Sequence, residues 1–291
     1  MTGRPNDVAD LTAALADHAY LADRGLATAL HLAMRLGRPL LLEGDAGVGK
    51  TEAAKALATT LGAELVRLQC YEGVDRSQAL YAWDHPRQLL HLRALEASGE
   101  RPADHEAELY RERFLLERPL LRALRLGERA VLLVDEVDRA DDEFEAFLLE
   151  VLGELQVSIP EFGTVRADAP PVVILTSNRT RELSDALKRR CLYHWIDHPD
   201  VDREAEIVRV RAPEVPAVLA RRVAGAVAAL RELDLVKPPG VAESIDWARV
   251  LTELGASDLD REVAADTLGT VVKDHEDLEE VRGRLDEVVG G

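Results

Sequence analysis

Four short stretches of this chain carry side chains whose types and spacing suit chemistry on phosphates. The first is Gly44-Asp45-Ala46-Gly47-Val48-Gly49-Lys50-Thr51, a match to G-x-x-x-x-G-K-[ST]. Glycines in that pattern let the backbone curl until its N–H groups converge on a phosphate, while the lysine reaches the β- and γ-phosphates and the hydroxyl ligates Mg²⁺. Gly44 through Thr51, with the adjoining Glu52, are therefore the expected nucleotide-binding residues. The second stretch, Val131-Leu132-Leu133-Val134-Asp135-Glu136, is an apolar run ending in two acids. That arrangement puts Asp135 beside the metal and leaves Glu136 to polarise an attacking water. In the third, Val172-Val173-Ile174-Leu175-Thr176-Ser177-Asn178, an apolar run delivers an amide that can hold the same water, or that caps a helix starting at Arg179. The fourth, Lys188-Arg189-Arg190, sets three cations together at a helix end. They satisfy the helix dipole in one reading and reach a γ-phosphate bound by a neighbouring subunit in the other.

These residues need elements to hold them. Strands are expected at Leu40–Glu43, Glu64–Gln69, Ala130–Val134, Val172–Thr176 and Leu192–Ile196, nearly all continuous apolar runs, as a parallel sheet covered on both faces requires. Helices alternate with them, including Lys50–Leu61 after the glycine loop, which Gly62 stops. A single helical pattern runs from Asp10 to Leu36. Two stretches interrupt the alternation. Tyr71–Trp83 sets Tyr71, Tyr81 and Trp83 among polar residues, and Gln156–Arg166 reads as a β-hairpin after a helix that starts near Asp141. Beyond Pro199 only helical periodicity recurs, broken at Pro213, Pro216, Lys237-Pro238-Pro239-Gly240 and Gly255. The expected organisation is an α/β domain over 1–198 and a small all-α domain over 199–291.

Composition narrows the partners. A net charge of −18 over 291 residues disfavours ligands held by a phosphate backbone, so nucleic acid is an unlikely partner. Residues 199–291 are the more acidic part, with 12 basic against 21 acidic side chains. No run is long enough for a membrane span and the first residues lack a signal-peptide core, so the cytoplasm is the expected compartment. Cys70 and Cys191 read as small buried hydrophobes, and His194 and His198 are poorly placed for a metal pair.

Together these ordered motifs make the chain resemble an AAA+ ATPase, and within that class it is similar to the MoxR family over roughly residues 30–251. The resemblance implies a P-loop α/β core with a helical lid, and ATP and Mg²⁺ as ligands. Gly44–Thr51 would be Walker A, Asp135 and Glu136 Walker B, with Thr51 and Asp135 on the metal, and Asn178 sensor 1. Lys50, Glu136 and Asn178 would act in hydrolysis. Arg190 or Arg189 would be the arginine finger, length alignment to His194 favouring Arg190. Tyr71–Trp83 would fall in the helix-2 insert and Gln156–Arg166 in the pre-sensor-1 hairpin. In Ser244-Ile245-Asp246-Trp247-Ala248-Arg249, Ser244 would cap a helix and Arg249 would meet the phosphates as sensor 2, or else be an ordinary solvated arginine. Relatives of this kind work as rings, commonly hexamers, with a von Willebrand factor A domain partner, and remodel or mature a client protein. A nucleotide-gated scaffold with little turnover and a nucleic-acid motor are the alternatives.

Overall fold

The computed structural model describes residues 5–99, 101–160 and 162–290. Its strands are β1 (Leu40–Glu43), β2 (Glu64–Gln69), β3 (Tyr81–Trp83), β4 (Leu115–Glu117), β5 (Ala130–Asp135), β6 (Gln156–Ile159), β7 (Gly163–Arg166), β8 (Val172–Ser177) and β9 (Leu192–Trp195). The helices are α1 (Val8–Asp17), α2 (Arg24–Leu36), α3 (Lys50–Leu61), α4 (Arg76–Ala79), α5 (His85–Ala97), α6 (Pro119–Leu126), α7 (Asp142–Glu154), α8 (Asp185–Arg190), α9 (Val201–Arg211), α10 (Ala217–Arg231), α11 (Val241–Glu253), α12 (Arg261–Thr267), α13 (His275–Gly283) and α14 (Leu285–Val289).

Two compact units divide the chain. The first takes Arg24–Glu43 and Leu57–His194 with the chain up to Leu11, and the second takes Thr12–Asp23, Gly44–Ala56 and the chain from Trp195 onward. The glycine loop thus clusters with the helical part of the sequence, which the linear division at residue 198 does not express.

In the first unit the five apolar runs form one sheet in the order β2-β5-β8-β1-β9. The pairs β2–β5, β5–β8 and β8–β1 are parallel, with Val131 opposite Val172 and Leu42 opposite Thr176. All residues of β1, β5 and β8 are buried, which explains why their sequences do not alternate. Parallel pairing brings Asp135 and Ser177 to one edge of the sheet, where β1 also ends at Glu43. A core of Leu68, Leu132, Val134, Leu148, Ile159, Val173 and Leu187 ties α7, α8 and the β6–β7 hairpin to the sheet. The hairpin forms over the expected span, Gln156 opposite Arg166, with Glu161 of its turn outside the described residues.

The other interruption is larger than its sequence signal. Tyr81–Trp83 pairs antiparallel with Leu115–Glu117, so the inserted structure extends past Trp83 through α5 to Glu117. Ring packing accounts for Tyr81 and Trp83, since Trp83 meets Tyr81 and Tyr110 edge-on at 6.2 and 5.3 Å, whereas Tyr71 is exposed and donates its hydroxyl to Gln78 Oε1 at 2.5 Å.

The expected single helix over Asp10–Leu36 is two helices. α1 ends at Asp17, Ala19 turns through φ +57°, and the Tyr20 N–H returns to the Leu15 carbonyl at 3.0 Å. No glycine or proline marks this break.

The second unit has a helical core of Val208, Leu219, Val223, Leu230, Trp247, Leu251 and Val281. Trp247 is fully buried and its indole N–H donates to Thr267 Oγ1 at 2.7 Å.

Candidate active site

In the second unit the loop Gly44–Gly49 leads into α3 with Lys50 as the first helical residue and Thr51 as the second. Backbone N–H groups at a helix N-terminus, together with the dipole, favour an anion. Gly47 takes φ +80°, and a Cβ there would stand 2.7 Å from Gly240 Cα. The turn before α11 therefore lies against the loop, and the Val241 N–H donates to the Gly47 carbonyl at 3.0 Å. The Lys50 ammonium is buried and donates to the carbonyls of Gly44 and Asp45, both at 2.7 Å. Asp45, Ala46 and Gly47 at the tip are exposed. These donors suit a phosphate chain, and the Thr51 hydroxyl at the start of α3 is a hard oxygen of the kind that Mg²⁺ prefers. Among the described residues no cluster of three His, Cys, Asp or Glu could hold a metal alone. Mg²⁺ needs none when phosphate oxygens and water complete its shell.

Around the loop, Tyr20 donates its hydroxyl to the Gly49 carbonyl at 3.4 Å, and burial pushes its phenol above the usual range. His198 Nε2 lies 3.6 Å from Asp45 Oδ2. Burial and the charge of Arg231 nonetheless lower the His198 pKa, outweighing Asp45. Glu52 pairs with Lys55 at 2.6 Å and Arg211 at 3.3 Å.

The turn that covers Gly47 is itself clamped. Glu204, fully buried on α9, accepts from Arg231 Nη1 and Nη2 at 2.5 and 2.8 Å and from Ser244 Oγ at 2.5 Å. Arg231 Nε donates to the Pro239 carbonyl at 2.8 Å. Here the expectation for α11 needs correction. Gly240, not Ser244, is the N-cap residue, and the Glu243 carboxylate accepts the Gly240 N–H at 3.0 Å. Arg249 consequently falls in the third turn of α11, where it donates to Glu214 at 3.2 Å and to the Arg211 carbonyl at 2.7 Å. Ser244 lies four positions past the cap, because Gly240 already takes the extended conformation a cap needs.

In the first unit, Asp135 ends β5 buried. Its Oδ1 accepts from Thr176 Oγ1 at 2.5 Å, and its Oδ2 from Arg67 Nη2 and Nε at 2.6 and 3.0 Å. Glu136 turns the chain out of the strand at φ +55°, its N–H bound to Thr176 Oγ1 at 2.9 Å. Its carboxylate accepts from Gln69 at 3.2 Å and pairs with Arg139 at 3.1 Å. Asn178 follows β8, and its side-chain amide makes no hydrogen bond among the described residues. It caps no helix: α8 starts at Asp185, capped by Ser184, whose Oγ accepts the Leu187 N–H at 3.3 Å.

The two candidate arginines at the end of α8 differ. Arg190 Nη1 donates to the Leu149 carbonyl at 2.8 Å and occupies the space over Gly153, where a Cβ would lie only 1.8 Å from it. The Arg189 guanidinium makes no hydrogen bond or ion pair among the described residues. Neither is needed by the helix dipole, since Arg38 donates to the carbonyls of Arg189, Arg190 and Cys191 at 3.0, 3.1 and 3.3 Å. Arg67, Gln69 and Thr176 in the sheet, and Arg38 just before β1, belong to no recognised motif, and only their places in the fold reveal these contacts.

Residues 39–191, more than half of the chain, match the AAA domain of the dynein-related subfamily. The chain belongs to the AAA family. An uncharacterized protein of Staphylococcus saprophyticus is 22% identical over 182 residues, covering 60% of this chain and 62% of that relative's length. A single-residue variant of Thermotoga maritima RuvB superposes with a TM-score of 0.51 at 18% identity, covering 92% of this chain and 76% of that one. The T. maritima structure described as the RuvB Holliday junction branch migration motor gives 0.47 at 19%, covering 91% and 75%. At such identity the likeness concerns fold: the parallel sheet with flanking helices and the helical C-terminal region are those of an AAA+ P-loop protein. No helix among the described residues is long and apolar enough to cross a membrane.

Proposed function

We propose that this AAA protein is a MoxR-type ATPase, which hydrolyses ATP to remodel or mature a client protein as a hexameric ring with a von Willebrand factor A domain partner. The observation that supports it best is at the ends of β5 and β8. There Thr176 ties Asp135 to the Glu136 backbone, while the Asn178 side-chain amide makes no hydrogen bond among the described residues. Water would attack the γ-phosphorus, the bond to the β–γ bridging oxygen would break, and ADP would leave. Glu136 polarises that water and Asn178 orients it, while Lys50 and the loop amides hold the phosphates. Mg²⁺, held by Thr51 and Asp135, supplies positive charge to the phosphate oxygens when bound.

Of the two finger candidates, Arg190 is committed within its own protomer to Leu149, so we assign Arg189 to the neighbouring subunit's γ-phosphate. A finger in trans makes turnover depend on assembly, worth about 10³-fold or more in turnover rate.

The test is ATPase rate against protein concentration for the wild type, Glu136→Gln, Arg189→Ala and an equimolar mix of the two variants. A rate per protomer that rises with concentration, is lost in each variant and partly returns in the mix is expected. A concentration-independent rate untouched by Arg189→Ala overturns the ring. A second reading, a nucleotide-gated scaffold, draws support from Arg67 on Asp135 and Arg139 on Glu136, contacts that hold both acids. Turnover that stays negligible in assembled rings with the partner present would favour it. The charge of −18 weighs against a nucleic-acid motor.

A further inference from the structure

Asp138 is a buried carboxylate to which the chemistry above gives no task. It lies in the 3-10 turn Val137–Arg139 that follows Glu136, is 2% exposed, and has no ion-pair partner among the described residues. Three neutral donors from one loop converge on it instead. The Asn178 N–H reaches Oδ1 at 3.3 Å, and the N–H and hydroxyl of Thr180 reach Oδ2 at 2.8 and 2.7 Å. Arg179, between them, is held at φ +57°, a conformation costing a non-glycine residue about 1 kcal/mol.

A carboxylate buried without a cation carries a desolvation penalty of several kcal/mol, against which its hydrogen bonds must work. A neutral Asn or Ser tethers a loop at lower cost. What an anion adds is strength, since hydrogen bonds to a charged acceptor are about twice as strong as neutral ones. The strength is applied at one place. Glu136 and Asp138 belong to the same turn, closed by the Arg139 N–H on the Glu136 carbonyl at 2.9 Å. The loop's far end is also fixed, where buried Glu145 accepts the Ser184 N–H at 3.0 Å and pairs with Arg181.

We propose that Asp138 is a positioning residue for hydrolysis: from the turn that carries Glu136 it fixes the loop that carries Asn178, so that both groups address one water. The inference rests on the ATPase reading given above. A misplacement of about 1 Å between groups that share a reacting atom can reduce rate about 100-fold.

The experiment compares the assembled wild type with Asp138→Ala, Asp138→Asn and Thr180→Val, measuring kcat, KM for ATP, affinity for a fluorescent ATP analogue and hydrogen exchange of the Asn178 and Thr180 amides. For Asp138→Ala we expect kcat about 10- to 100-fold lower, KM and affinity within about 2-fold, and faster exchange at both amides. Asp138→Asn keeps one acceptor oxygen, enough for the two Thr180 donors but at neutral strength and without the Asn178 N–H, and is expected to recover part of kcat. Exposed Thr180 tolerates Val without loss of fold, so this variant reads the hydroxyl link even where Asp138→Ala fails to fold; a severalfold lower kcat is expected. Unchanged kcat in Asp138→Ala and Thr180→Val, or equal loss of kcat and affinity with no recovery in Asp138→Asn, overturns the positioning role alone. A wild type that binds ATP without turnover overturns the ATPase reading, and the positioning role with it.

Discussion

The clamp on the turn that covers the phosphate loop yields a quantitative expectation. Glu204 is fully buried and Arg231 nearly so, and they meet through two parallel hydrogen bonds, with Ser244 as the third donor. Arg231→Met removes both bonds to Glu204 and the bond to Pro239, leaving the carboxylate with the Ser244 hydroxyl alone. An uncompensated buried charge costs about 3–5 kcal/mol. At about 2–4 °C per kcal/mol for a protein of this size, the thermal transition of the helical part should fall by roughly 6–20 °C. Glu204→Leu should cost a similar amount by stranding the guanidinium. The double variant Glu204→Leu/Arg231→Met leaves no lone charge and should be more stable than either single one by at least about 1 kcal/mol. Chemical denaturation of the four proteins, monitored by the fluorescence of buried Trp247, completes the double-mutant cycle. Single variants that each lose less than about 1 kcal/mol, or a double variant whose loss equals the sum of the singles, would refute a coupled buried pair.

Two further expectations concern the same unit. Gly47→Ala places a Cβ 2.7 Å from Gly240 Cα at φ +80°, so the turn or the loop must move; affinity for a fluorescent ATP analogue should fall at least about tenfold, and an unchanged Kd would contradict the close approach. His198, whose pKa is lowered chiefly by burial, binds a proton more readily unfolded than folded, so its contribution to stability is complete above about pH 6.5 and declines as pH falls toward the depressed folded value. Against His198→Gln, the wild type should lose up to about 1.4 kcal/mol more per pH unit in that window, and parallel urea-denaturation curves at pH 7.5 and 5.5 would dispose of the idea.

The sheet was legible because fully buried parallel strands write themselves as apolar runs: Leu40–Glu43 and Val172–Ser177 stand out from any polar surrounding. The residues proposed for chemistry at their ends could be picked out for a related reason, since a phosphate loop and an acid pair are motifs of residues adjacent in sequence. The break at His18–Asp23 was not, because it depends on Tyr20 reaching Gly49, a contact 29 residues away. Strand β4 escaped notice for the same cause. Leu115–Glu117 is three residues long with two of them exposed, and only its distant partner Tyr81–Trp83 makes it a strand. At α11 a serine resembled a cap, yet the Glu243 carboxylate on the Gly240 N–H sets the helix start.

The acidic excess looked like a solvated surface, and for exposed pairs such as Arg282 with Glu279 that reading suffices. Four acids behave otherwise. Asp138 holds the Asn178 loop, Glu145 the Ser184 N–H, Glu204 the arginine that fixes Pro239, and Asp277 the N–H groups of Val236 and Lys237 at 2.8 and 2.9 Å. Each is at most 2% exposed, and each secures, directly or through an arginine, a segment that no helix or strand ladder satisfies. A buried N–H without a partner costs about 1–3 kcal/mol, so a carboxylate that accepts two or three donors stabilises a loop where regular structure cannot. Two of these loops adjoin the groups assigned to hydrolysis, Asn178 in one unit and Gly47 in the other. Within each unit, then, buried anions set the loops beside the residues proposed for chemistry, and the acidic composition is in part internal structure rather than solvated surface.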